Sequence, residues 1–279
     1  MTAPPVALTI AGSDPSGGAG IQADLKTFSA LGAFGTSVIT ALTAQNTQGV
    51  TGVHVVPVEF VRAQFETLVA DVRIDAVKIG MLAGAELARE AGALLAEYQA
   101  TRAGAGLDRV PVVLDPVMVA TSGDRLLDED AIAAVRDLLP LVDIVTPNLP
   151  EAAVLLDTAP ADGIDAMGEQ AQRLRDLGVA AALVKGGHRL DDAATDVLAD
   201  AEGLTRLTSR VVTTRNTHGT GCTLSSALAA LRPQRPDWRS TAADAKAWLT
   251  DALARADELR IGLTDQGHGP VHHFHALWP

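Results

Sequence analysis

Short apolar runs of strand length alternate with longer runs of helical period almost from one end of the chain to the other. Val6–Ala11 has the pattern of a buried strand, and Ile21–Leu31 sets Ile21, Leu25 and Phe28 on one helical face. Ser37–Leu42 and Val50–Val56 read as extended, Phe60–Val72 as helical, Ala76–Ile79 as a short strand and Ala85–Ala100 as an alanine-rich helix. The alternation continues with strands at Val110–Leu114 and Ile144–Thr146, and helices at Asp130–Leu138, Glu151–Leu156 and Gly168–Leu177. Next come a strand at Ala181–Lys185, a hairpin region over Asp196–Leu198 and Leu204–Thr213, and helices at Thr223–Leu231 and Thr241–Ile261. From about residue 263 the chain is loop-like. Continuous apolar strands separated by helices predict an α/β fold, with a mostly parallel central sheet covered on both faces. There is no fixed-period repeat, and the soft stretches Thr101–Arg109 and Asp157–Asp165 are too short for linkers, so residues 1–279 read as one domain.

Composition narrows the function classes. Hydrophobic residues make up 47% of the chain and aromatics 3%, so Ala, Val and Leu must fill the core. The 22 Lys and Arg against 34 Asp and Glu give a net charge of −12 with no basic block, which argues against nucleic acid as a partner. Cys222 is the only cysteine, so no intrachain disulfide can form. The start, Met1 to Pro5, lacks a signal-peptide pattern, and no run approaches the roughly 18 apolar residues of a membrane span. These features together predict a cytoplasmic protein with no membrane partner.

The chemistry is concentrated where strands end. Gly12-Ser-Asp14, Gly80-Met81, Asp115-Pro116, Asn148 with Glu151, Lys185-Gly-Gly-His188 and His218-Gly-Thr-Gly-Cys222 each follow a strand or an extended run. In open α/β sheets that edge is where ligands bind. The last segment is the richest, because two glycines in three positions bring backbone N–H groups close together at the start of a helix. Unpaired amides and the helix dipole make that place suited to an anion, and a thiol there is more easily ionised. The competing reading is an ordinary strand–turn–helix connection around a small cysteine. Gly12–Gly20 is not a Walker A loop, since no Gly-Lys-Ser/Thr follows.

In order along the chain, Ala11 to Lys26, Thr40 to Gly49, Lys78 to Met81, Leu114 to Val117, Thr146 to Glu151, Val184 to His188 and Thr217 to Cys222 resemble the signature of the hydroxymethylpyrimidine/phosphomethylpyrimidine kinases. Gly267 to Val271 is a further echo. The resemblance implies a ribokinase-like fold, ATP and Mg²⁺ as co-substrates, a homodimer and a place in thiamine biosynthesis. It implies two successive transfers of the ATP γ-phosphate, first to 4-amino-5-hydroxymethyl-2-methylpyrimidine and then to its monophosphate. A pyridoxal or pyridoxine kinase of the same fold is the nearest alternative, and a non-enzymatic pyrimidine sensor a more distant one.

Carried onto this chain, the resemblance makes Gln45 and Asp24 readers of the pyrimidine ring, with Gly12 and Met81 packed on it. An aminopyrimidine offers an amine beside ring nitrogens, which an amide and a carboxylate can meet. The competing readings are a solvated helix residue for Asp24, a loop residue for Gln45 and core filling for Met81. Asp115 and Glu151 are the Mg²⁺ candidates, since Mg²⁺ commonly takes one or two carboxylates and keeps several waters. Asn148, Lys185 and Thr220 are expected at the nucleotide phosphates, with a salt bridge as the alternative for Lys185. The backbone of His218 to Cys222, Gly219 and Gly221 included, forms the anion hole. Cys222 stands where related sugar kinases carry Asp, so it is either a base of lowered pKa or a residue that orients substrate. Asp128, Glu129 and Asp130 read as helix-start acids, and the histidines from His268 to His275 as part of a closing loop rather than a metal site.

Overall fold

The computed structural model describes residues 3–118, 128–187, 193–263 and 266–278. Among the described residues nine strands form one sheet: β1 (Val6–Ser13), β2 (Phe34–Asn46), β3 (Gly49–Val55), β4 (Ala76–Ile79), β5 (Val112–Leu114), β6 (Ile144–Val145), β7 (Ala181–Lys185), β8 (Ala193–Asp200) and β9 (Gly203–Arg210). Their order across the sheet is β3-β2-β1-β4-β5-β6-β7-β8-β9. The pairs from β2 through β7 are parallel, while β3 at one edge and β8 and β9 at the other are antiparallel. The chain lays β2 on one side of β1 and β4 on the other, so the strand order reverses at β1. Ligands in such sheets lie beyond the strand ends at that reversal.

The helices are α1 (Gly20–Ala30), α2 (Val58–Val69), α3 (Ala85–Gly104), α4 (Glu129–Leu138), α5 (Leu149–Leu156), α6 (Ile164–Asp176), α7 (Thr220–Leu231) and α8 (Trp238–Ala254). Alternation along the strands sorts them into two layers. Leu8, Ile10, Val77, Ile79, Val112, Leu114, Ala182 and Val184 face a core built with α2 to α6. Ala7, Ala76, Val113, Ala181 and Leu183 face the opposite core, built with α1, α7 and α8. Helix α7 is buried from Thr223 to Leu231, and its small residues let it cross the sheet closely. By the same alternation Thr9, Lys78 and Lys185 fall on the α7 face.

The α/β architecture agrees with the sequence pattern, and the differences lie at the ends of elements. Strand β2 runs to Asn46, well beyond Leu42, because β3 pairs with its outer half. That outer half alternates polar and half-exposed residues, which carries no clear apolar signal. Helix α8 stops at Ala254 instead of Ile261, and a 3₁₀ turn at Ala256–Glu258 follows. Helix α6 starts at Ile164, four residues before Gly168. Asp128 caps α4 by accepting from the Ala131 N–H at 2.8 Å, with Glu129 and Asp130 in its first turn, as their helix-start reading requires. Among the described residues no helix is long and apolar enough to cross a membrane.

Candidate active site

The carboxyl ends of β1, β4, β5, β6 and β7 bring Gly12, Met81, Asp115, Asn148 and Lys185 to one edge of the sheet, facing the start of α7. Gly219 caps that helix with φ of +75°, a left-handed conformation that glycine adopts without strain. A Cβ there would also lie 1.8 Å from the Gly18 carbonyl oxygen. The two glycine-rich segments, residues 17–20 and 218–221, are thus packed backbone against backbone. The first-turn amides of a helix have no acceptor within it, and among the described residues no side chain caps α7. The cradle is narrower than His218 to Cys222, however. The His218 N–H donates to Gly269 O at 3.0 Å and the Thr220 N–H to Thr217 O at 3.2 Å. Gly219, Gly221 and Cys222 remain as its amide donors. The Thr220 hydroxyl is also engaged, donating to Thr217 O at 2.6 Å.

On the β5–β7 side, Lys185 Nζ lies 3.1 Å from Asp115 Oδ1, with side chains 16% and 3% exposed. Asp115 further accepts from the Thr146 and Ser225 hydroxyls, each at 3.3 Å. A Cβ on Gly221 would sit 3.2 Å from Lys185 Nζ and 3.5 Å from Asp115 Oδ2, so the cradle rests directly on this pair. Asn148 and Glu151 form a capping box at the start of α5, with N–H to side-chain contacts of 2.9 and 2.8 Å. Glu151 is buried, and burial with the nearby Asp115 charge raises its pKa to about 7 against the pull of Lys185. Burial opposes the charge on Lys185, but Asp115 and Glu151 outweigh it and raise the lysine's pKa. Asp115 and Glu151 are two hard carboxylates beside the cradle, the kind of donor set that fits a Mg²⁺ ion keeping much of its water. Among the described residues no group of three or more His, Cys, Asp or Glu is placed to hold a metal.

On the β1–β4 side, a Cβ on Gly12 would lie 2.6 Å from Met81 Cε, so these two side by side form one wall. Gln45, on the outer half of β2, contacts His218 Nε2 at 3.2 Å and Thr43 Oγ1 at 3.1 Å. His218 Nε2 is also 2.8 Å from Asp14 Oδ2. Burial pushes the Asp14 pKa up, but hydrogen bonds from His218, Ser16 and Ala19 outweigh it and hold the carboxyl at about 2.

Asp24 is corrected. It is fully buried, and its oxygens take Lys78 Nζ at 2.9 and 3.0 Å, the Thr9 hydroxyl at 2.6 Å and the Ser226 hydroxyl at 2.6 Å. Both oxygens are taken up in the interior, which leaves the carboxylate nothing to offer a ring and makes it a buried strut between α1, β4 and α7. Cys222 is corrected in its acidity: burial, with the Asp24 and Asp115 charges, pushes the thiol up to about 11 although Lys78 pulls the other way. The direction is opposite to the lowering expected at a helix start.

The tail is tied to three other segments of the chain. His268 N donates to Thr47 O at 2.8 Å, Gly269 N to Asn216 Oδ1 at 3.0 Å, and His273 Nε2 meets the Thr223 hydroxyl at 3.0 Å. His188 lies outside the described residues. Sequence reasoning missed the Asp14–His218 contact and the Lys78–Asp24 pair. Both join residues far apart in the chain; Asp14, Lys78 and His218 lie near strand ends, but Asp24 sits in helix α1 with no local signal of its partner.

Known proteins are similar to this chain over most of its length. The model of a family described as phosphomethylpyrimidine kinase matches residues 14–272. Hydroxymethylpyrimidine/phosphomethylpyrimidine kinase of Escherichia coli K12 is 54% identical over 273 residues, covering 98% of each chain. Among solved structures, phosphomethylpyrimidine kinase of Clostridium difficile 630 superposes with a TM-score of 0.76 at 38% identity, over 89% of this chain and 99% of that one. An ADP complex of Bacillus subtilis pyridoxal kinase gives a TM-score of 0.85 at 33% identity, over 98% of each chain.

Proposed function

The chain belongs to the phosphomethylpyrimidine kinase family, and on that premise we propose that it phosphorylates 4-amino-5-hydroxymethyl-2-methylpyrimidine and then the resulting monophosphate, for thiamine biosynthesis. The kinase family implies ATP as the phosphoryl donor. The observation that carries the reading is the uncapped start of α7, set between the Gly12–Met81 wall with Gln45 and the Asp115–Lys185–Glu151 group. A ring site lies on one side of an anion cradle and a phosphate site on the other, as transfer between them requires.

In this reading the amides of Gly219, Gly221 and Cys222 hold the oxygens of the phosphoryl group in flight. Lys185 neutralises charge at the nucleotide phosphates, beside Asn148 and Thr220. Asp115 and Glu151 would hold Mg²⁺, which when bound supplies charge neutralisation and a template for the phosphates. With its pKa near 11 the Cys222 thiol stays protonated at neutral pH, so its part is to orient the acceptor oxygen. A loose transition state asks little of a base, and a phosphate acceptor asks less.

A cytoplasmic homodimer of one-domain subunits belongs to the same proposal. Edge strand β3 is exposed along its length and presents Val50, Val53 and Val55, a surface suited to a second copy. The likeness to pyridoxal kinase keeps vitamin B6 alcohols as a second reading. ADP release with Mg²⁺-ATP, using the pyrimidine alcohol, its monophosphate and pyridoxine separately, tests both. Turnover of both pyrimidines is expected; turnover of pyridoxine alone would replace the substrate and keep the phosphate machinery.

A further inference from the structure

We infer that Asp14 and His218 fix the direction in which the Gln45 amide faces, and that this direction selects an amine next to a ring nitrogen. The inference rests on the pyrimidine reading above. It begins at Asp14, whose carboxylate is surrounded by donors. Oδ1 accepts from the Ser16 N–H at 2.8 Å, and Oδ2 from the Ser16 hydroxyl at 2.9 Å, the Gly18 N–H at 3.2 Å and the Ala19 N–H at 2.9 Å. A carboxylate so placed can only accept. His218 Nε2, 2.8 Å away, therefore carries a proton and donates it.

That proton decides the orientation of Gln45. One end of the amide lies 3.2 Å from His218 Nε2 and the other 3.1 Å from Thr43 Oγ1. With its nitrogen toward His218, two N–H groups would face each other. The oxygen and nitrogen of an amide have the same shape, so the surrounding donors set the assignment. Oε1 faces His218 and shares its proton with Asp14, while Nε2 faces Thr43. The Thr43 hydroxyl donates to Ser13 O at 2.8 Å and keeps lone pairs to accept the Gln45 N–H. Each contact along Ser13, Thr43, Gln45, His218 and Asp14 then joins a donor to an acceptor.

Held this way, Gln45 has one lone pair left on the His218 side and one N–H left on the Thr43 side. Since His218 adjoins Gly219, the order outward from the cradle is acceptor, then donor. On the pyrimidine, the carbon bearing the hydroxymethyl arm is followed by the carbon bearing the amine and then by a ring nitrogen: donor, then acceptor. The two edges match when the arm points at the cradle. Pyridoxine offers a C–H before its ring nitrogen on the corresponding edge, so the Gln45 oxygen would meet no donor. Asp14 and His218 are thus positioning residues that act through Gln45.

The test compares kcat/KM for the pyrimidine alcohol and for its 4-deamino analogue, in wild type, His218→Phe, Gln45→Ala and the double variant. His218→Phe should cut the preference for the amino compound roughly 10-fold. In the Gln45→Ala background the same change should move the preference by less than about twofold. A purely structural role for His218 would lower turnover of both compounds alike. An unmoved ratio, or an equal fall in both backgrounds, overturns the inference. Thr43→Val removes the other anchor without touching the cradle, and should shift the ratio the same way even if His218→Phe does not fold. Wild type that turns over neither pyrimidine would overturn the functional reading itself, whereas good turnover with an unmoved ratio removes only the relay.

Discussion

Two aspartate–lysine pairs lie on the same face of the sheet, under the same helix, and they serve opposite ends. Asp24 and Lys78 are both fully buried, joined by two contacts of 2.9 and 3.0 Å and closed off by Thr9 and Ser226. Asp115 and Lys185 meet through one contact of 3.1 Å, the lysine is partly exposed, and the hydroxyl bonds to Asp115 are long at 3.3 Å. The difference follows from position along the strand. Lys78 lies inside β4, one residue before its end, whereas Lys185 is the last residue of β7. The inner lysine must find its partner within the core. The outer one reaches the strand ends, where Gly221 and Glu151 border it. One pair is complete as it stands; the other has polar capacity left for a ligand.

The largest effect should come from breaking the closed pair. Lys78→Met leaves the Asp24 carboxylate buried beside two hydroxyls, and should cost about 3–5 kcal/mol in urea unfolding. Asp24→Asn together with Lys78→Met removes both charges, leaves an acceptor for one of the two hydroxyls and an N–H that the other can accept, and should restore at least half of that loss. A single-variant loss under about 1 kcal/mol would show that the pair is not the strut described here. Next in size is Lys185→Met, which opens the other pair. The loss falls on turnover, about 10²–10³-fold in kcat, the size expected for one preorganised charge or donor at a reacting group. Its unfolding midpoint should move less than that of Lys78→Met, because Glu151, with a pKa of about 7, can take up a proton when the lysine charge is gone. A fall in kcat below tenfold would remove Lys185 from the phosphate site.

That same contrast marks what was legible in the sequence. The strands, the layer order and the gathering of Gly12, Met81, Asp115, Asn148, Lys185 and the cradle at one edge follow from local pattern and the rule for parallel sheets. Asp24 could not be placed that way. Its neighbours in sequence make it a helix residue, and only the approach of β4 and α7 turns it inward. The acidity of Cys222 was misjudged for a related reason: a helix start is visible in a sequence, but the extent of burial around a thiol is not. His218 was read for its backbone, and its side chain turned out to join the first glycine loop to Gln45. Pairings across some 200 residues leave no periodic trace in either segment.

The smallest effect sharpens the open pair through pH. The buried Glu151 carboxyl has its pKa raised from 4.5 to about 7. A carboxyl of raised folded-state pKa favours the folded form only while it holds its proton, so that contribution is present below about 4.5 and is lost as pH rises to about 7. Above 7 the ionised acid sits in a poor environment unless a cation joins it. Glu151→Gln keeps an acceptor for the capping box and removes the charge. Its unfolding free energy should therefore exceed that of wild type by an amount on the order of 1 kcal/mol at pH 8, shrinking toward zero near pH 4. Binding of Mg²⁺ requires the deprotonated acid, so wild-type affinity for the metal with nucleotide should weaken as pH falls below 7. The variant should bind more weakly and lose that slope. Urea melts at the two pH values, with and without Mg²⁺ and ADP, read all three. An equal gain at both pH values would mean that Glu151 is not held protonated by its surroundings. The acid would then be ionised across the whole range, and Mg²⁺ affinity should show no slope around pH 7.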